Sequence, residues 1–285
     1  MREHHDDHDE FGGIERDLPR LIDRRRAMWL VGGGLGAVAL ASCGSSVTKA
    51  ASSTTTVLAG PSSSTTSGGG SDVAATGSCT KIPSETAGPF PGDGTNGPDV
   101  LTQTGVVRRD ITTSFGSMSG TAQGVPLTMK FKVLSIAGGC TPYAGAAMYA
   151  WHCTREGGYS LYSAGVKDQN FLRGVQAADA DGWVTFQTIF PGCYDGRWPH
   201  VHFEVYPLLD KASSAKNRIA TSQLALPQDI CEKVYATAGY ESSRRNLAAT
   251  SLQRDMVFRD GWTTQLGTVT GDVASGLTVT LNVPV

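Results

Sequence analysis

The sequence lacks a large excess of charge of either sign. Its 285 residues contain 24 Lys and Arg against 26 Asp and Glu, which gives a formal net charge of −2. Domains that bind nucleic acid usually carry a basic patch or stripe. The composition therefore predicts no nucleic-acid partner.

The sequence also lacks a long apolar run of the kind that spans a membrane. Its most apolar stretch, residues 27–41, is short and rich in glycine, whereas a transmembrane helix needs about 20 apolar residues. Three arginines at residues 24–26 precede it, which is typical of a secretory signal and resembles a twin-arginine export signal. The tetrapeptide LASC at residues 40–43 resembles a bacterial lipobox.

These features predict a signal peptide over residues 1–43 and a lipid on Cys43. The protein is then exported and lies on the cell-surface or periplasmic side of the membrane. A single lipid anchor holds a protein on the membrane without spanning it, so we expect no other membrane contact. The alternative is an ordinary cleaved signal in which the cysteine is incidental.

Large apolar side chains are scarce in residues 44–77, which are rich in Ser, Thr, Gly and Ala. Such a segment cannot bury enough surface to fold, so we predict a disordered, flexible tether. Residues 78–285 remain as one domain, long enough to bury a sizeable core.

The predicted domain has no CxxC pair, which argues against a thiolate metal site. Its five cysteines are an odd number, so at least one thiol is unpaired. Disulfides are expected in an exported chain, but the sequence leaves their pairing open. The five are Cys79, Cys140, Cys153, Cys193 and Cys231.

The domain contains little sign of helix. Alternating or β-branched segments separated by Gly and Asp turns predict strands, at residues 127–136, 146–152, 183–190, 219–226 and 276–285, with a further short strand at 106–111. We therefore predict an all-β antiparallel sandwich with long loops. One short helix is expected over Asp229–Tyr235.

Histidine is scarce in the domain. Of six histidines in the chain, only His152, His200 and His202 fall within residues 78–285. His200 and His202 lie in the aromatic, β-branched stretch 190–206, where residues two apart share a strand face and lie roughly 6.5–7 Å apart. Two imidazoles at that spacing can bind one metal ion.

Three donor sets could complete such a site, and the spacing leaves them open. His152 as a third histidine gives a zinc site with an open position. Glu204 gives a ferrous site of two histidines and one carboxylate. Phenolates from Tyr194 and from Tyr159 or Tyr162 give a hard, anionic set that favours Fe(III).

Eight short motifs follow one another along residues 79–285: PSETAGPF at 83–90, WHC at 151–153, GYS at 158–160, FLRGVQ at 171–176, DG at 181–182, TIFPGCY at 188–194, GR at 196–197 and HVH at 200–202. This series resembles the intradiol ring-cleavage dioxygenases, the group that includes catechol 1,2-dioxygenase and protocatechuate 3,4-dioxygenase.

The resemblance implies one mononuclear non-haem Fe(III) per chain. Its ligands would be Tyr159, Tyr194, His200 and His202. Arg197 matches the family's substrate-side arginine, and Gln223 resembles a glutamine that lies behind the metal ligands.

The resemblance also implies the reaction. A catechol-type diol would react with O2, and the ring would open between the two hydroxyl-bearing carbons to give a muconate-type diacid. Tyr194 would accept one proton of the diol, and Arg197 would stabilise negative charge that develops on the ring. Because residues 1–77 are predicted to be signal and tether, we expect no counterpart of the helical segment that builds the catechol 1,2-dioxygenase dimer. The natural diol and the oligomeric state stay open.

Two alternatives from other classes remain. One is a zinc hydrolase or lyase that uses His152, His200 and His202. The other is a non-catalytic, ligand-binding β-sandwich lipoprotein.

Overall fold

Nine strands and four short helices make up the part of the chain that the structure, a computed structural model, describes, residues 79–285. The predicted signal peptide and tether lie outside the described residues. The strands are β1 (Pro126–Ser135), β2 (Thr141–Pro142), β3 (Ala147–Trp151), β4 (Arg173–Ala177), β5 (Trp183–Ile189), β6 (His200–Tyr206), β7 (Ala220–Ala225), β8 (Thr268–Asp272) and β9 (Gly276–Pro284). The helices are α1 (Gln228–Tyr235), α2 (Glu241–Ala249) and two 3₁₀ turns, Leu209–Ser213 and Ala215–Asn217.

The first sheet is organised around β1. Alternate residues of this strand, from Leu127 to Val133, are buried and the residues between them are partly exposed. β9 pairs with one edge of β1, and β5 followed by β2 pairs with the other edge. β8 pairs with the far side of β9.

The second sheet has the order β4-β3-β6-β7 and is antiparallel throughout. One face packs on the first sheet to form the main core, as in the contact between the rings of Phe131 and Phe203 at 5.3 Å. The opposite face is also buried, because the 3₁₀ turn 209–213 and loops from residues 87–115 and 153–162 cover it. We call this opposite side the outer face of the second sheet, and it carries the candidate site.

The all-β sandwich predicted from the sequence is confirmed, and α1 lies where the one short helix was expected. Three details differ. β9 pairs with β1 in parallel; residues 106–111 make only isolated bridges instead of a strand; and α2 was not predicted. The sequence of α2 gives a weak signal because its buried residues are only Ser243 and Leu247.

The cysteine pairing that the sequence left open is resolved within the described chain. Cys79 and Cys140 form a disulfide. Cys153, Cys193 and Cys231 are buried free thiols.

As for membrane spans, residues 79–285 form no helix with the length and apolar character needed to cross a bilayer.

The disulfide should contribute measurably to stability, since it links residues 61 positions apart. In the chain-entropy model a loop of that length stabilises the folded state by about 4 kcal/mol. We expect Cys79→Ser to lower the free energy of unfolding by about 2–4 kcal/mol in urea titration. A reducing agent should destabilise the parent protein equally and leave Cys79→Ser unaffected; a further loss in the variant would contradict this assignment.

Candidate metal centre

The two histidines of the HVH motif lie at the start of β6 with both rings on the outer face. Their Nε2 atoms are 3.0 Å apart. Trp151, paired with His202 across β3 and β6, stacks on the His202 ring at 4.9 Å with an interplanar angle of 5°. His200 Nδ1 donates to the Trp198 carbonyl at 2.5 Å. Since that bond needs a proton on Nδ1, His200 Nε2 presents its lone pair to the site.

Tyr159 comes from the long loop 152–172 between β3 and β4. Its backbone N–H donates to Ser163 Oγ at 2.9 Å, which fixes the local turn. Its ring packs against Phe90 with centroids 5.0 Å apart. The hydroxyl reaches 3.4 Å from His200 Nε2.

Tyr194 comes from the loop between β5 and β6, and its hydroxyl also lies 3.4 Å from His200 Nε2. The loop approaches Gly157 so closely that a Cβ on this glycine would lie 3.0 Å from the Tyr194 Cβ. Gly157 also has a φ of +97°, a value that favours glycine. This glycine lets the two tyrosine-bearing loops meet.

The four predicted ligands therefore converge on one point. Two atoms that bind one ion at about 2.0–2.1 Å can be at most about 4.2 Å apart, and the separations from His200 Nε2 to the other three atoms are 3.0–3.4 Å. Two phenol oxygens and two imidazole nitrogens form a donor set suited to a hard trivalent ion. The residues thus fit a ferric ion in both spacing and chemistry.

The electrostatics of these donors agree with that fit. The pKa values of His200 and His202 lie well below the ordinary range, mainly because both rings are buried and also because the Arg197 charge is near. Both imidazoles are therefore neutral. Burial, followed by the neighbouring Tyr194, raises the pKa of Tyr159 well above its usual value. A cation between them would offset this cost by stabilising the phenolate form.

Arg197 lies beside the donors and is fixed from two further sides. Its Nε donates to Asp255 Oδ2 at 2.9 Å, and its Nη2 donates to Gln223 Oε1 at 2.7 Å. Its Nη1 lies 3.3 Å from the Tyr194 hydroxyl. Gln223 in turn donates to the Thr86 carbonyl at 2.9 Å. A continuous series of hydrogen bonds therefore links the buried Asp255 carboxylate to Thr86.

The charge of Arg197 is maintained by its surroundings. Burial alone would lower the pKa of the guanidinium, but Tyr194 and Asp255 outweigh this effect and raise it. The arginine therefore remains cationic although it is buried. Its salt bridge with the buried Asp255 holds the guanidinium beside the donors.

His152 lies apart from this cluster. Its Nδ1 bonds the Cys153 carbonyl at 2.8 Å and its Nε2 bonds Thr188 Oγ1 at 2.7 Å. Burial lowers its pKa to about 4. Within residues 79–285, His, Cys, Asp and Glu side chains form no group of three or more that could hold a metal.

The other two alternative ligands also have different partners. Tyr162 accepts from the Gly92 N–H at 2.9 Å and donates to the Asn96 carbonyl at 3.0 Å. Glu204 accepts from the Tyr206 hydroxyl at 2.6 Å and lies 3.6 Å from Arg218. Of the candidate phenols and carboxylates, only Tyr159 and Tyr194 reach the histidines.

Residues 83–92 cross over the site, and we call them the strap. Gly88, with φ +70°, lies over His202 so closely that a Cβ would sit 3.2 Å from the ring. The buried Arg173 holds the strap by donating to the carbonyls of Phe90 and Pro91 at 3.0 and 2.8 Å. The same guanidinium donates to Ser160, the residue after Tyr159.

Sequence reasoning missed two of these residues as parts of the site, Asp255 and Arg173. Asp255 lies 58 residues from Arg197 in a segment with no recognisable motif, and nothing local indicates its role. Arg173 stands in the FLRGVQ motif, so a signal existed, but its function in holding two loops depends on contacts that are distant in sequence.

A family model described as "Dioxygenase" matches residues 96–223 of the chain. The match includes all four converging donors, Arg197 and Gln223. Among curated proteins, chlorocatechol 1,2-dioxygenase from Rhodococcus opacus is 40% identical over 55 residues. That alignment covers 19% of this chain and 21% of the relative, so the chain spans about a fifth of the relative it matches.

Among solved structures, the intradiol ring-cleavage dioxygenase from Tetranychus urticae shares the fold. It superposes with a TM-score of 0.57 and is 21% identical, covering 72% of this chain and 94% of that one. The family model thus matches 128 of the 285 residues of the chain. The family-model match and the shared fold agree with the resemblance to the intradiol ring-cleavage dioxygenases stated from the sequence. As a family, these enzymes use non-haem Fe(III).

The buried pair of Arg197 and Asp255 should matter for folding as well as for the site. Asp255 is fully buried and also accepts from the backbone N–H groups of Trp198, Val257 and Phe258. Removing one partner of a buried pair leaves the other charge uncompensated, at a cost of about 3–5 kcal/mol. We therefore expect Asp255→Asn to lower the free energy of unfolding by that amount in urea titration.

The matched control is Glu156→Gln, which breaks the solvent-exposed pair with Arg155. Exposed pairs contribute about 1 kcal/mol or less. Equal effects of the two substitutions would contradict the importance assigned to the buried pair.

Proposed function

We propose that the protein is a non-haem Fe(III) intradiol dioxygenase that opens the ring of a catechol-type diol. The observation that carries this proposal is the convergence of the Tyr159 and Tyr194 hydroxyls on the His200–His202 pair. One diol and one O2 give one muconate-type diacid that retains both oxygen atoms. The match to the dioxygenase family model supports the reaction class, and the donor set supports the metal.

The metal would be held by Tyr159, Tyr194, His200 and His202. When bound, Fe(III) would draw electron density from the two diol oxygens and make the ring reactive toward O2. Two phenolates and one hydroxide balance the charge of a ferric ion, so such a centre tolerates a buried site at a modest desolvation cost.

Tyr194 is the donor best placed to exchange a proton with the substrate. It is partly exposed, whereas Tyr159, His200 and His202 are buried. A diol would therefore enter from the Tyr194 side. As it binds, the Tyr194 oxygen would take one of its two protons, and a hydroxide would take the other.

Arg197 would stabilise the negative charge that develops on the ring. Its Nη1 lies within 3.5 Å of both the Tyr194 hydroxyl and His200 Nε2, so a ligand that displaces Tyr194 meets the guanidinium directly. Its contacts to Asp255 and Gln223 hold it in place without further reorganisation. The strap, closed over His202 at Gly88, would keep water from the reacting atoms.

The zinc alternative draws no support from the site, because His152 bonds Cys153 and Thr188 instead of facing the pair.

Export and a lipid on Cys43 remain proposals that rest on residues 24–43. The twin-arginine route would suit this protein because it carries folded proteins with their metal inserted.

The reaction can be tested directly on the purified, iron-loaded protein. We expect a red-brown colour from tyrosinate-to-iron charge transfer, and oxygen uptake with catechols at one O2 per diol consumed. Product identification should find a ring-opened diacid with both oxygen atoms from labelled O2. A colourless protein that binds only zinc, or a coloured protein that leaves every catechol unchanged, would overturn the proposal.

The ligand assignment has a matched pair of variants on one loop. Tyr159→Phe removes a converging hydroxyl, so we expect loss of most of the visible absorption and a lower iron content by metal analysis. Tyr162→Phe removes a hydroxyl that bonds only Gly92 and Asn96, so colour and iron should persist while stability falls by about 1 kcal/mol. The reverse result would reassign the ligand to Tyr162.

A further inference from the structure

The loop that joins β6 to β7, residues 207–219, exposes an unusual share of apolar surface. Four large apolar side chains are exposed in the described chain: Val107, Leu208, Leu209 and Ile219, at 53, 51, 39 and 41%. Three of the four lie in this one loop. Clustered exposed apolar groups rimmed by polar residues mark a contact with a protein or a membrane.

The loop is also positively charged within a weakly acidic protein. It contains Lys211, Lys216 and Arg218 against a single acidic residue, Asp210, whereas the whole chain has a net charge of −2. Arg218 lies 3.6 Å from Glu204 and 3.9 Å from Asp93, which are both buried, so Lys211 and Lys216 are the charges that the loop can present to a partner. Lys211 is half-exposed beside Asp210. Leucines beside lysines are the combination that binds at the surface of anionic lipid bilayers.

The position of the loop agrees with a membrane contact. β6 runs for roughly 20 Å from the histidines at its start to Tyr206 at its end, so the loop lies at the end opposite the candidate site. Tyr206 pairs with Ala147, and a Cβ on Gly145 would lie 3.8 Å from Leu208. The loop therefore neighbours the turn before β3.

The N-terminal segment joins the domain at this same end. Cys140 lies five residues before Gly145 and is bonded to Cys79, the first described residue. The tether predicted over residues 44–77, and the predicted lipid on Cys43 beyond it, thus lead to the end of the sandwich that carries the exposed leucines.

We propose that loop 207–219 docks on the anionic phospholipid surface to which the lipid on Cys43 attaches the protein. Leu208, Leu209 and Ile219 would enter the interfacial region, and Lys211 and Lys216 would contact lipid phosphates. β6 would then stand away from the membrane with the candidate site at its distal end, open to diols in the aqueous phase. This proposal rests on the predicted anchor and does not depend on ring cleavage.

A second copy of the chain is the competing occupant. A stable protein interface buries more than about 1,000 Å² in total, and three side chains on one loop supply far less. Insertion into a bilayer needs no matching apolar surface on a partner protein. The lysines of the loop attract anionic lipid, whereas in a contact between two copies the lysines of both loops would repel each other. The lipid surface is therefore the better match.

A fluorophore on the loop can test the contact in the full chain. In the lipid-bearing protein the lipid blocks the Cys43 thiol, and the free thiols at Cys153, Cys193 and Cys231 are buried, so a cysteine introduced as Leu209→Cys takes the label. With vesicles of phosphatidylcholine and phosphatidylglycerol, we expect a blue shift of an environment-sensitive dye and quenching by brominated acyl chains. Both effects should weaken with added salt, with pure phosphatidylcholine, and with Lys211→Glu and Lys216→Glu together.

The same dye on Val107→Cys, an exposed apolar position outside the loop, is the matched control and should show neither effect. No shift at residue 209, or an equal shift at both positions, would overturn the proposal. A shift that appears without vesicles and grows with protein concentration would instead identify a second copy as the partner. Oxygen uptake by the same labelled samples is measured separately, so failure of docking and failure of the proposed reaction can be told apart.

Discussion

The buried ion pair between Arg197 and Asp255 connects the parts of the site. Through Arg197 the pair reaches the Tyr194 hydroxyl and His200, and through Gln223 it reaches the strap at Thr86. Without its carboxylate, the buried guanidinium would carry an uncompensated charge at a free-energy cost of about 3–5 kcal/mol, and its position would be less well fixed. With the carboxylate in place, a positive charge can be held beside neutral imidazoles and a phenol, which is where a reaction that builds negative charge on a substrate requires it.

This arrangement needs a sheet that is buried on both faces. β6 directs Val201, Phe203 and Val205 into the core between the sheets, while His200, His202 and Glu204 face the loops. An outer sheet face in a sandwich is usually solvated, and imidazoles there would be hydrated. Here the strap and the loop carrying Tyr159 cover it, and Arg173 fastens both by filling its donors with their carbonyls and with Ser160. The cover keeps Tyr159, His200 and His202 away from solvent.

The sequence was sufficient for those features that depend on local periodicity. Alternation predicted β1, β5 and β9 to within a residue or two, and the spacing of His200 and His202 placed both rings on one strand face. Periodicity could not select Tyr159 over Tyr162, because these two chemically identical phenols lie three positions apart in an irregular loop. The motif resemblance made that choice. Asp255 was beyond reach, since its role depends on a contact across 58 residues. The parallel pairing of β9 with β1 likewise depends on chain topology that no local pattern encodes.

The outer face of β6 shows how one strand can hold groups of different polarity at successive positions. His200 and His202 are neutral and turned toward phenols, whereas two residues further Glu204 meets Tyr206 and Arg218, and burial raises its pKa to about 7. Register decides these outcomes: His202 lies between Trp151 and Gln223 on the neighbouring strands, while Glu204 lies between Tyr149 and Thr221. A shift of one residue would turn every one of these side chains into the apolar core. The same alternation that builds the core therefore fixes which polar groups can meet the tyrosines, and the candidate metal centre follows from the register of the second sheet.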